Sequence, residues 1–307
     1  STLYAYLDGL CTHTLLSQTP EWISPLVPED IVLPPGVDVP VTLRSPPILE
    51  DVVARRVHAS PADVRLRNPD CFVPGNLHKH AAMWERVTAG FERADEVMGW
   101  INEGVDLTNY LSSYTGWWEG VYYDCDSPPS SAWENHITEG PVGPSKVSAN
   151  LWVADQVELM LNMGVIKVWQ PSPKYPIPHT VNPLGVEPTK PRFITDMQFV
   201  NLWMAAPKFV MAGVRIAPEL VTIGQSFLGS IDHKSGYFHM GLHRRSMKYF
   251  GFWYNGVYYT FQVLCFGWSV SCYIYQTLGE AVVQHLASLG IPSTIWIDDM
   301  LITGFIG

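Results

Sequence analysis

The sequence predicts an α+β fold whose C-terminal part is built on a mostly antiparallel sheet. Three observations carry this. Asn255-Gly256, a strong hairpin turn signal, joins "KYFGFWY" to "VYYTFQVL". Val270, Ile274, Leu278, Val282, Leu286 and Leu289 recur at helical spacing, and Gly290 and Pro292 then stop the helix. Last, "STIWID" and "MLIT" are two short apolar runs around Asp298-Asp299. With "FLGSID" as a buried strand ahead of them, the order is strand, hairpin, helix, hairpin, which is an α+β pattern.

Upstream, the chain divides by composition. Residues 1–75 hold 11 prolines, including "VLPPGVDVP" and "LRSPPILED", a density that interrupts helices and central strands alike. They read as an extended arm. Residues 76–150 form an acidic leader. In it Met83, Val87, Phe91, Val97, Met98 and Ile101 keep helical spacing up to a stop at Gly104. "YLSSYTGWWEGVYYDCDSPPSSAW" follows, dense in aromatics that can stack bases or, the simpler reading, pack against the next domain. From residue 151 a second amphipathic helix is expected at Val153–Met163, ending at Gly164. "GVIKVW", a proline-rich link, and "KPRFITDMQFVN", a strand then a turn, come next. No internal repeat is present.

The 307 residues suggest about two domains, and 47% hydrophobic content allows a sizeable core. Net charge is −10, but residues 1–150 hold 9 Lys+Arg against 20 Asp+Glu, while residues 151–307 hold 10 against 9. The acidity belongs to the first half. The second, at +1, gives no charge argument for or against nucleic acid. Five widely spaced cysteines (Cys11, Cys71, Cys125, Cys265, Cys272) without a C-x-x-C argue against a disulfide framework or zinc site and for a reducing, intracellular compartment. His78-Lys79-His80 reads as polar surface. The start "STLYAYLDGL" has neither methionine nor a secretory signal pattern, so the chain reads as a non-secreted fragment of a longer polypeptide. Thr260–Leu278 carries no formal charge and could just span a bilayer, but its two Gln, two Thr, two Ser and Gly favour a buried strand-turn-helix over a membrane span.

The aspartate pair needs an explanation. Burying one unpaired carboxylate costs roughly several kcal/mol, and a close like-charge partner adds to that. Neighbouring strand residues point to opposite faces, so both can serve one site only near a turn. Alone, such a pair is most often a solvated cap. Asp232, however, also ends an apolar run, and two strands of one sheet could bring the three carboxylates together. Oxygen-only ligands of that kind favour hard divalent ions such as Mg²⁺, usually shared with a phosphate substrate.

"SIDHKSGYFHMGL", "VLCFGWSVSCYIYQ" and "WIDDMLI", in this order, resemble successive palm motifs of reverse transcriptases, and "NPLGVEPTKPRFITDMQFVN" resembles the fingers motif that precedes them. The likeness covers about residues 150–307. It is nearest to retrotransposon enzymes of the DIRS-like and Gypsy-like groups, and "NLHKHAAMWERV", "INEGVDL" and "DSPPSSAWENH" resemble the leader of DIRS-like polyproteins. The resemblance implies fingers over 151–225 and a right-hand palm, a ferredoxin-like antiparallel sheet with helices, over 226–307. A thumb would lie beyond Gly307, and without it the fragment should polymerise poorly.

By that resemblance Asp232 and Asp298 would hold two Mg²⁺ ions, and Asp299 would complete the catalytic cluster. Arg192, with Lys190 close by, would meet the phosphates of an incoming deoxynucleoside triphosphate. Tyr237 would lie under its sugar and crowd out a 2′-hydroxyl. Phe266 and Gly267 would let the backbone approach the nucleotide or the RNA/DNA template-primer. Cys265, His233, Trp296 and Gln198 depart from the family pattern, though none removes a metal ligand. A non-catalytic nucleic-acid-binding or scaffold remnant is the alternative. A two-carboxylate glycosidase leaves Arg192, Tyr237 and Phe266-Gly267 unexplained together.

Overall fold

In the computed structural model the described residues are 75–137, 140–144, 146–211, 220, 226–233 and 235–305. Residues 1–74 of the Pro-rich stretch, with Cys11 and Cys71, lie outside them, as does Lys234. The described part is a mixed α+β structure.

Two helices come first, α1 (Ala81–Val87) and α2 (Ala94–Glu103). The spacing predicted one helical stretch here. It breaks after Val87, where the Thr88 hydroxyl donates to the Trp84 carbonyl at 2.9 Å and Gly90 takes φ +78°. Gly104 ends α2 as expected, at φ +81°. Trp84, Val97, Trp100, Val105 and Leu107 are buried in the same core as Phe250, Leu264 and Ile274. The leader is thus built into the C-terminal core. Val105 bridges Leu242, the Leu107 N–H donates to Ser246 Oγ at 2.7 Å, and Asp106 pairs with Arg245 at 2.7 Å.

The aromatic stretch forms a hairpin, β1 (Tyr114–Trp118) and β2 (Val121–Cys125). Tyr114, Tyr123 and Trp118 turn inward onto Phe199 and Trp203. Then come β3 (Ser131–Ala132), β4 (Pro141–Val142), β5 (Val147–Ser148) and α3 (Ala149–Met163). The Ser148 hydroxyl caps α3 by accepting from Leu151 N–H at 3.3 Å, and Gly164 closes it in a left-handed conformation. Next are β6 (Ile166–Val168), β7 (Thr180–Val181), the β8–β9 hairpin (Leu184–Val186, Phe193–Thr195) and the single-turn helix α4 (Gln198–Asn201).

The last elements are β10 (Ser226–Asp232), β11 (Gly251–Tyr254), β12 (Val257–Phe261), α5 (Ser271–Ser288), β13 (Ser293–Trp296) and β14 (Asp299–Phe305). The β11–β12 turn is Asn255-Gly256, both at positive φ. The predicted face of α5 is buried from Val270 to Leu286, but Leu289 follows the helix end and is exposed.

Two larger sheets result. β10, β14 and β13 form an antiparallel sheet in the order β10-β14-β13. The second, β3-β7-β11-β12-β6, is mixed, with β3–β7 and β7–β11 parallel. The expectation of a mostly antiparallel sheet therefore applies only to the first. "FLGSID" was expected to be buried. Instead Ile231 faces the core, while Leu228, Ser230 and Asp232 lie on an open face. That open face makes Asp232 accessible. Among the described residues no helix is long and apolar enough to cross a membrane, and Thr260–Leu278 runs from the end of β12 through a loop into α5.

Candidate active site

Strand pairing brings the aspartates together. Asp232 and Asp299 are direct register partners across β10 and β14, although 66 residues separate Asp232 from Asp298 in sequence. The His233 N–H donates to the Asp298 carbonyl at 2.8 Å. That bond flanks the 232–299 pair, which makes it a non-hydrogen-bonded pair. In such pairs the Cα atoms are about 4.5 Å apart and the side chains approach most closely. Asp298 itself sits in the two-residue turn Ile297-Asp298 between β13 and β14.

Ile297 occupies this turn at φ +57°. A β-branched residue is strained there, by about 1–3 kcal/mol. Gln276, a buried residue of α5 at 2% exposure, braces the turn. Its Oε1 accepts the Ile297 N–H at 2.8 Å, and its Nε2 donates to the Ile295 carbonyl at 3.3 Å. Gly279 lets α5 lie this close, since a Cβ there would meet Ile295 Cδ1 at 2.4 Å.

The Asp298 carboxyl is raised above its ordinary value by burial, with the charges of Asp299 and Asp232 adding to the rise; its own backbone N–H and the Arg192 guanidinium partly offset it. Arg192 is exposed at the β9 end of the β8–β9 hairpin, where its carbonyl accepts from Glu187 N–H at 3.3 Å. Its charge reaches Asp298 as the smallest of the influences on that carboxyl. Lys190 is also exposed on this connection, and no contact ties it to the aspartates.

Behind the carboxylates is a buried polar layer. After the left-handed turn at Ser235 (φ +55°), Tyr237 turns inward and is 9% exposed. Its hydroxyl lies 3.0 Å from Cys272 Sγ, and its ring packs on Phe266 and Tyr275 at 4.9 and 5.7 Å. Burial, Cys272 and the nearby Asp298 charge raise the Tyr237 phenol well above its ordinary value. His233 Nδ1 lies 3.0 Å from Tyr275 Oη. Burial lowers the His233 pKa to about 4, so the imidazole is neutral at physiological pH.

Phe266 is 42% exposed over Tyr237. Gly267 also has a role inside the fold. At φ +104° its Cβ would stand 2.0 Å from the Thr195 carbonyl oxygen. Asn201 locks this junction, donating from Nδ2 to the Gly267 carbonyl at 2.8 Å and accepting from Ser269 N–H at 2.9 Å.

The structure thus gathers Asp232, Asp298 and Asp299, with Arg192 in electrostatic reach and Tyr237 and Phe266 alongside. Lys190 and Gly267 have no contact with the cluster. Among the described residues no group of three or more His, Cys, Asp or Glu is arranged to hold a metal ion by itself. The donor chemistry still fits a hard divalent cation: oxygen-only, mutually repelling and open to solvent, with remaining ligands to come from phosphate, carbonyl or water. Sequence reasoning missed Gln276 and Asn201. The signal for Gln276 was a lone amide in the uncharged run "YIYQTL", since a buried amide must find partners.

No family model and no curated protein matches the chain. Solved structures of foamy viral protease-reverse transcriptase are similar at low identity. One, a dRH form in complex with double-stranded DNA, has 17% identity and TM-score 0.43 over 64% of this chain and 31% of that one. One in complex with an RNA/DNA hybrid has 18% identity and TM-score 0.44 over 56% and 21%. The native prototype foamy virus protein has 17% identity and TM-score 0.42 over 57% and 21%. The chain spans between about a fifth and a third of the length of these proteins.

Proposed function

We propose that the chain is the fingers and palm of an RNA-directed DNA polymerase, a reverse transcriptase of a DIRS-like or Gypsy-like retrotransposon polyprotein. One observation carries the reading. Asp232 and Asp299 are register partners beside a turn that holds Asp298, and the charge of an arginine on a separate hairpin reaches Asp298. A structural cap explains one aspartate pair in a turn. It does not explain a third carboxylate delivered by a second strand against the resulting repulsion.

Asp232 and Asp298 are the residues that would hold two Mg²⁺ ions. Bound there, such ions would supply Lewis acidity to a primer 3′-hydroxyl and a triphosphate. Arg192 binds triphosphate oxygens with its forked donors. Gln276 holds the Ile297-Asp298 turn so that the carboxylate does not swing away. Neutral His233 ties β10 to Tyr275 without placing a competing cation beside the metal site. The Tyr237 ring forms the floor under the nucleotide sugar, with Phe266 as its outer edge.

A second reading, a non-catalytic nucleic-acid-binding or scaffold remnant, draws on the depth of Tyr237 and on the lack of a three-ligand group among the described residues. Primer extension separates them. With excess protein, RNA template, DNA primer, Mg²⁺ and dNTPs, the polymerase reading expects added nucleotides that Asp298→Asn abolishes. Template binding without extension supports the second.

A further inference from the structure

Between the β1–β2 hairpin and α4 lies a cavity of about 520 Å³. Its aromatic lining comes from Trp118, Trp133 and Phe199, and Glu119, Glu134 and Asp196 place carboxylates along it. None of these residues belongs to the aspartate cluster described above.

The rings are not parallel. Trp118 and Trp133 both contact Phe199, at centroid distances of 6.4 and 5.2 Å, with planes inclined by 53° and 61°. A flat base or a guanidinium stacks best on parallel faces. A compact ammonium is attracted to several inclined ring faces at once.

Charge points the same way. Asp196 is engaged: it accepts from the Gln198 N–H at 3.0 Å and the Gln198 amide at 3.2 Å, and lies 3.9 Å from His136 Nε2. Glu119 and Glu134 have no hydrogen-bond or ion-pair partner among the described residues. A phosphate strand meets repulsion here, and a cation meets two uncommitted carboxylates.

The surface extends past the cavity. Val121, the register partner of Trp118 and therefore on the same face of the hairpin, is 50% exposed. A free amine would leave Val121 uncovered beside the cavity. A peptide would cover it while one side chain entered the cavity.

We propose that this cavity binds the ammonium head of a lysine side chain carried by a peptide segment of a partner protein. The site stands independently of the polymerase reading, because it uses none of the aspartates.

The test is a tryptophan-fluorescence titration of the 307-residue chain. The probes are three peptides identical except for a central lysine, trimethyllysine or norleucine, with spermidine and oligo(dT) as separate arms. The lysine and trimethyllysine peptides should bind saturably and on the order of tenfold more tightly than the norleucine peptide. The double change Glu119→Gln, Glu134→Gln should remove about that factor, with the circular dichroism spectrum unchanged. Trp133→Phe, which keeps a ring, should retain most binding, and Trp133→Leu should lose it. Equal binding of the norleucine peptide, or carboxylate changes without effect, would overturn the proposal. So would spermidine binding as tightly as the peptides, or oligo(dT) displacing them.

Discussion

Asp232 and Asp299 stand opposite each other across β10 and β14, and the bond from His233 N–H to the Asp298 carbonyl ties the third aspartate to the same ladder. Three carboxylates are therefore held close by backbone pairing, whatever their side chains prefer.

That closeness costs stability when no cation is bound. Burial, helped by Asp299 and Asp232, raises the Asp298 carboxyl in the folded chain. A raised carboxyl stabilises the fold fully below its unfolded value and loses that contribution as pH rises through the folded value. At neutral pH ionised Asp298 is therefore unfavourable. Asp298→Asn should stabilise the chelator-treated protein at pH 7 by on the order of 0.5–1 kcal/mol, a surface-type magnitude because the group is partly exposed. The gain should shrink as pH falls through the raised folded value and be gone below about pH 4. Urea denaturation at both pH values measures it, and a loss of stability at pH 7 would show that the cluster is not repulsive.

Gln276 gives a separate handle on the same turn. Gln276→Leu keeps the volume but leaves the Ile297 N–H and the Ile295 carbonyl without their partner. The expected cost is about 1–3 kcal/mol, with faster hydrogen exchange at the Ile297 amide. An unchanged exchange rate would mean that the turn holds without the glutamine.

Tyr237 has to be treated as a core residue as well as a gate. Tyr237→Ala opens a cavity and should cost about 3–5 kcal/mol. Tyr237→Val is the better probe, and Tyr237→Phe removes only the contact with Cys272 Sγ. The ratio of rNTP to dNTP incorporation should rise at least tenfold in Tyr237→Val, by roughly 1.4 kcal/mol of discrimination, and stay unchanged in Tyr237→Phe. The same ratio in a folded Tyr237→Val protein would reduce Tyr237 to packing.

Asp106 ties the leader to the core, and its charge is stabilising. Burial opposes ionisation, but the Thr108 N–H and hydroxyl, Ser246 and Arg245 outweigh it, and the carboxyl is held below its ordinary value. A depressed carboxyl contributes stability above its unfolded value and loses it as pH falls through the folded one. Asp106→Asn should therefore destabilise the protein at pH 7, by about 1.5–3 kcal/mol for hydrogen bonds to a charged group. The deficit should narrow as pH falls below about 4. A deficit constant from pH 7 to pH 3 would assign the effect to shape alone.

What the sequence made legible followed short-range rules. Asn255-Gly256 specified a hairpin because only φ-tolerant residues fit both turn positions, and the α5 face was visible because its apolar residues repeat at helical spacing. The strand-end placement of Asp232 and Asp298 hinted at the cluster, but the register that pairs Asp232 with Asp299 is a long-range property. Gly267 illustrates the limit. Its positive φ suits any tight turn, and only the folded chain shows that the Thr195 carbonyl fills the space a Cβ would need. The open face of β10 was hidden for a similar reason, since "FLGSID" has the composition of a buried strand and the sheet around it decides its exposure. Nor could composition show that an acidic leader would place Trp84 and Leu107 in the C-terminal core.

The central claim is that the carboxylates of β10 and β14 support nucleotidyl transfer. The most direct measurement is single-turnover extension of a labelled DNA primer on an RNA template, with the chain in excess, Mg²⁺ and the four dNTPs. The account predicts addition of at least one templated nucleotide, lost on chelation and lost in both Asp232→Asn and Asp298→Asn. Absence of extension by a protein that binds the template-primer, or extension that survives either substitution, would contradict it.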